Sequence, residues 1–101
     1  MLDKTAPLCR DEVLELQLLD IEKNILFEVI SGVEYANGYN STCVRTTAGW
    51  RSLNAKYVQK LKRFEQQRDK IVKSVEDYIG KAIKDYYIDY TTFEMQYSLC
   101  N

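Results

Sequence analysis

Residues 29–52, VISGVEYANGYNSTCVRTTAGWRS, separate two long apolar periodicities, and the path of the chain through them sets the architecture. The centre of this segment is Asn37-Gly38, the favoured pair for a type I′ turn, because both central positions of that turn need positive φ. On either side, residues 33–36 and 39–46 carry β-favouring side chains: Tyr35, Tyr39, Thr42, Val44 and Thr46, with Thr47 following. The expectation is a two-stranded hairpin closed by Ala48-Gly49. A lone hairpin is marginal in water, so it needs to lie against helices or pair with a neighbour.

On the N-terminal side, Leu14, Leu18, Ile21, Ile25 and Val29 recur at spacings of four, three, four and four, one stripe of an amphipathic helix beginning near Arg10. Asp11, Glu12 and Glu15 put negative charge where the first-turn amides favour it, and Gly32 stands where a C-cap is expected. Leu16, Leu19, Leu26, Phe27 and Ile30 widen the apolar surface, so this helix requires partners on more than one side.

On the C-terminal side, a second helix is expected over 52–78, with Ser52 as N-cap. Tyr57, Leu61, Phe64, Ile71, Val75 and Tyr78 follow an alternating four-three spacing, and Arg68 takes the missing seam position, its stem lying along apolar neighbours. Trp50, seven residues before Tyr57, extends the stripe backwards. Gly80 weakens the helix, which is expected to continue through Ile83 to about Tyr87. Beyond it Phe93, Met95, Tyr97 and Leu99 alternate with polar residues, the mark of an extended strand. Such a tail either joins its own hairpin or straps a neighbouring molecule. Five of the eight tyrosines lie between 78 and 97, which suits a contact surface or the edge of a core equally. The fold class read from these elements is α+β: an N-terminal arm (1–9), a helix–β-hairpin–helix core (10–79) and an extended C-terminal tail (80–101).

The chain has 101 residues, 46% apolar and 29% charged, the composition of one small domain. No apolar run approaches the roughly 18 residues of a membrane span, and the N-terminus lacks the order of a signal peptide, so a cytoplasmic chain is expected. Cys9, Cys43 and Cys100 are widely spaced and read as free thiols in a reducing compartment. There is no histidine, which removes histidine triads and histidine-metal sites. Gly32, Gly38, Gly49 and Gly80 are scattered singly and form no phosphate loop. Asp11-Glu12 and Glu76-Asp77 are paired carboxylates, but neighbours on a helix point about 100° apart and do not converge on one atom. No catalytic, cofactor-binding or metal-binding residue is expected, and an enzyme is not.

Charge is the most informative pattern. Residues 1–44 hold three bases and eight acids, net −5; residues 45–84 hold eleven bases and four acids, net +7; the remainder is −3. This polarity suits a polyanion on the basic segment, the acidic part of a second copy, or an acidic helix packed on a basic one within one molecule. The candidate polyanion-facing residues are Lys56, Lys60, Lys62, Arg63, Lys70 and Lys73. The candidate subunit contacts are Tyr87, Tyr90, Phe93, Met95, Tyr97 and Leu99.

Ile30-Ser31-Gly32, the hairpin after it, and the pattern S-L-x-x-x-Y-V-x-x-L over 52–61 together resemble the small head-completion proteins of tailed phages, of the lambda W type. The likeness covers about residues 11–75; the longer first helix and the aromatic tail depart from it. It implies a structural subunit of a head–tail connector, a homo-oligomeric ring in the virion, assembled in the host cytoplasm. Such a ring joins portal to tail proteins and lines the DNA channel with basic side chains that touch phosphates without reading sequence. Two other classes stay open from the residues themselves: a small protein-binding adaptor anchored by its aromatic tail, and a non-sequence-specific DNA-binding module using helix 52–78. The overall pI of about 5.4 and the lack of helix-turn-helix spacing weigh against the last.

Overall fold

A computed structural model describes residues 2–36 and 47–100. In chain order the elements are β1 (Lys4–Pro7), α1 (Arg10–Ala36), α2 (Ala48–Ile79), β2 (Ile83–Asp89) and β3 (Glu94–Leu99). Among the described residues the class is α+β, two helices and a three-stranded antiparallel sheet of order β1-β3-β2. The chain divides into two compact units, Met1–Gln17 with Glu65–Asn101, and Leu18–Phe64.

The first unit contains the sheet. β3 pairs with β1 through Lys4↔Tyr97 and Ala6↔Met95, and with β2 through Tyr86↔Tyr97 and Ile88↔Met95. Because side chains alternate along a strand, Ala6, Met95 and Ile88 share one face, and Thr5, Gln96 and Tyr87 share the other. The first face is turned inward: Ala6, Met95 and Tyr97 are buried, together with Val13 and Leu16 of α1 and Ile71 and Val75 of α2. Gln67 is a buried polar side chain here, and its Nε2 donates to the Glu12 backbone oxygen at 3.1 Å. The β2–β3 connection closes on Asp89, whose carboxylate accepts the backbone N–H groups of Thr91 and Thr92 at 2.8 and 3.2 Å. Phe93 takes φ of 57°, a left-handed conformation uncommon outside glycine and asparagine. Its carbonyl accepts the Leu8 N–H at 2.9 Å and the Arg10 guanidinium lies 5.4 Å from its ring, so the N-terminal segment of the unit holds the turn.

In the second unit α1 and α2 run antiparallel. As α1 advances from Glu22 through Phe27 to Glu34, its partners on α2 retreat from Lys60 through Tyr57 to Trp50. The contacts are Lys60 Nζ to Glu22 Oε2 at 2.6 Å, Phe27 and Tyr57 rings at 5.9 Å, and Trp50 Nε1–H donating to Glu34 Oε1 at 3.1 Å. Lys23 Nζ sits 4.4 Å from the centre of the Phe64 ring. Leu19 and Ile30 are buried, and Leu26, Tyr57, Leu61 and Phe64 are half-buried.

Several expectations are corrected. Residues 33–36, expected as the first hairpin strand, are the last turn of α1: Gly32 is tolerated inside the helix, and a methyl group at its Cα would meet nothing within 4 Å, so no crowding forces a break there. The rest of the expected hairpin, including Asn37-Gly38 and residues 39–46, lies outside the described residues, as does Cys43. The α2 N-cap is Thr47 rather than Ser52, since its Oγ1 accepts the Trp50 N–H at 3.3 Å and its carbonyl accepts the Arg51 N–H at 3.1 Å. Gly80 ends α2 instead of merely weakening it. With φ of 70° it donates its N–H to the Glu76 carbonyl at 2.8 Å, a left-handed cap, and the Glu76 carboxylate then accepts the Ile83 N–H at 2.8 Å. Ile83–Asp89 is therefore strand, not a continued helix. The alternating segment 93–99 does form a strand over Glu94–Leu99, yet it is the centre of the sheet and not a projecting tail. Residues 4–7, expected as part of an arm, supply an edge strand.

Candidate protein-interaction surface

The α2 seam faces as the periodicity predicts at Ile71 and Val75, which are buried, and at Tyr57, Leu61 and Phe64, which are half-buried; Tyr78 instead points to solvent. Arg68 is half-buried beside Asp69. On α1 the prediction is reversed. The stripe Leu14, Leu18, Ile21, Ile25 and Val29 has the spacing of a core face, and all five are exposed. The residues that merely widen the stripe, Leu16, Leu19 and Ile30, are buried instead. Both sets satisfy the helical period, so α1 has two apolar faces.

Within the second unit, the outward set is Leu18, Ile21, Ile25 and Val29, at 57, 49, 55 and 44% exposure. These four lie within about a quarter-turn of one another around the helix, at about 100° per residue, and form a continuous row roughly 17 Å long at about 1.5 Å per residue. Scattered exposed apolar residues are ordinary, whereas four in one row on one helix face make a candidate interaction surface. Glu22 and Glu28 flank it, Glu22 being held by Lys60 at 2.6 Å. Among the described residues no helix is long and apolar enough to cross a membrane.

The residues expected at a polyanion divide. Lys60 is engaged with Glu22, and Lys70 Nζ lies 3.9 Å from Glu12 Oε1, whereas Lys56, Lys62, Arg63 and Lys73 are exposed. Those expected at a subunit contact divide as well. Tyr87 is exposed and Tyr90, Phe93 and Leu99 are half-buried, but Met95 and Tyr97 are buried in their own unit and offer a neighbour no surface. The correction follows from β3 being central, with a strand on each side. The exposed α1 row escapes a reading of the sequence because its period is also that of a core face.

An open cavity of about 410 Å³ in the first unit is lined by Ala6, Leu8, Glu12, Ile71, Val75 and Tyr78 among others. Cys9, at its wall, is exposed, as is Cys100. Among the described residues no group of three or more cysteine, aspartate or glutamate side chains is placed to hold a metal ion. The chain matches no protein-family model, no curated protein and no solved structure.

Proposed function

We propose that the protein is a non-catalytic building block of a macromolecular assembly, and that it associates with further copies of itself through the outward apolar row of α1. The observation that carries this reading is the exposure of Leu18, Ile21, Ile25 and Val29 on a helix whose opposite face is already buried. A monomer leaves that row in contact with water, and association removes it. The lack of histidine throughout the chain fits a role without proton-transfer chemistry. The particular assembly we propose is the ring of a phage head–tail connector, which the residue patterns at 30–32 and 52–61 resemble.

Sedimentation velocity over a wide concentration range tests the reading. The expected result is a closed species of fixed size that Ile25→Glu converts to monomer, with circular dichroism unchanged. A monomer at every concentration overturns it. Electron micrographs of the assembled protein test the particular form: a ring of more than four copies supports the connector, and a dimer or an open filament removes it while the broader reading stands.

A further inference from the structure

The second unit also contains a surface that complements the α1 row. Residues 48–64 hold Arg51, Lys56, Lys60, Lys62 and Arg63 and not one acid, whereas residues 18–36 hold four acids and the single base Lys23. Lys60 is committed to Glu22, and the other four bases of this stretch are exposed. On this basic side Ser52, Ala55, Gln59 and Lys62 recur at spacings of three, four and three, one row along a helix. Val58, 39% exposed, lies beside them, and with Lys56 these residues line a shallow depression of about 570 Å³.

The two surfaces fit by size and by charge. Small side chains at Ser52 and Ala55 leave a groove, and the branched side chains of the α1 row form a ridge; ridge into groove is how helices pack, at about 8–10 Å between axes. Glu28 flanks the ridge and Lys56 and Lys62 flank the groove. A ridge meeting a second ridge buries apolar area too, but it brings the acidic flanks of both copies together, which disfavours that pairing. Ridge against groove brings acid to base.

We infer that the α1 row of one copy seats on the Ser52–Ala55–Gln59 groove of α2 in a second copy. The inference rests on the assembly reading above and names the receiving surface. Within one copy Ile25 of the ridge borders Lys56 and Gln59 of the groove, so each copy presents a donating and a receiving patch side by side.

Two exposed-site variants test it, Ile25→Glu to block the ridge and Lys56→Glu/Lys62→Glu to reverse the groove, each checked for native helicity. Wild type is expected to assemble, and each variant alone to sediment as a monomer. An equimolar mixture of the two is expected to give a 1:1 dimer and nothing larger, since only one live ridge and one live groove remain. If the lysine variant assembles as wild type does while Ile25→Glu does not, the inference falls and the assembly reading stands. A mixture that stays monomeric also overturns the inference. A wild type that never associates overturns the assembly reading and the inference with it.

Discussion

Leu18 and Leu19 are adjacent on α1 and face opposite environments: Leu19 is 9% exposed and Leu18 57%. One residue advances a helix by about 100°, enough to carry a side chain from a core to water. The pair shows which of the two apolar faces of α1 is packed and which lies in water.

The two faces are separable by mutation. Leu16→Ala, at a fully buried position, is expected to cost about 2–5 kcal/mol, whereas Leu18→Ala changes stability by no more than about 0.5 kcal/mol. Urea denaturation at a protein concentration low enough to hold the monomer checks both. Equal losses would mean the Leu18 face is packed. The half-burial of Phe64 and Leu61 places them below Leu16, Ile71 and Met95 in expected cost.

Deleting residues 91–101 removes β3, the strand that both β1 and β2 pair with. It also removes Met95 and Tyr97 from the core. The truncated chain is expected to lose cooperative unfolding of the first unit, read as collapse of amide protection in hydrogen exchange for residues 4–7 and 83–89. Retained protection there would contradict the pairing.

Gly80 supplies the left-handed φ that ends α2, and the space around it is open. Gly80→Ala therefore strains the backbone without creating a clash, and is expected to cost about 1–2 kcal/mol. Gly80→Asn, whose side chain tolerates this region better, is expected to cost less. Thermal melts of the three proteins give the order.

The Asp89 carboxyl is held below its ordinary value, chiefly by the Thr91 backbone N–H and then by that of Thr92, both of which donate to the charged form. A carboxyl depressed in the folded state adds stability that is present above its unfolded pKa of about 3.9 and is lost as pH falls through the lower folded value. Asp89→Asn is expected to be less stable than wild type at neutral pH, with the gap narrowing on acidification below pH of about 4. Denaturation at a series of pH values measures it, and a gap independent of pH would remove the assignment.

Lys60 and Glu22 form a short ion pair, 2.6 Å, on half-exposed side chains. Solvent screening limits such pairs, so a double-mutant cycle with Lys60→Met and Glu22→Gln is expected to return a coupling of roughly 0.2–1 kcal/mol that shrinks with added salt. Coupling that survives high salt would show a drier contact than the geometry implies.

What the residues settled on their own was local. The start of α1 at Arg10, the inward seam of α2 at Ile71 and Val75, and the extended character of 93–99 are legible because helical and strand periods are written in neighbouring residues. The extent of α1 past Gly32 and the stop at Gly80 were decided by backbone geometry that composition only hints at. Tertiary structure alone decided the rest. Lys4–Pro7 has no strand pattern and becomes one by pairing with Glu94–Tyr97 from the other end of the chain, and Ile83–Asp89 keeps a helix-compatible spacing that the turn at Gly80 overrides. Above all, a periodicity specifies that a helix has an apolar face and is silent on which of two such faces meets its own core. On α1 that choice went to Leu16 in the first unit and to Leu19 and Ile30 in the second, and in the second unit it leaves the Leu18–Val29 row in water because a helix cannot turn opposite faces to one core.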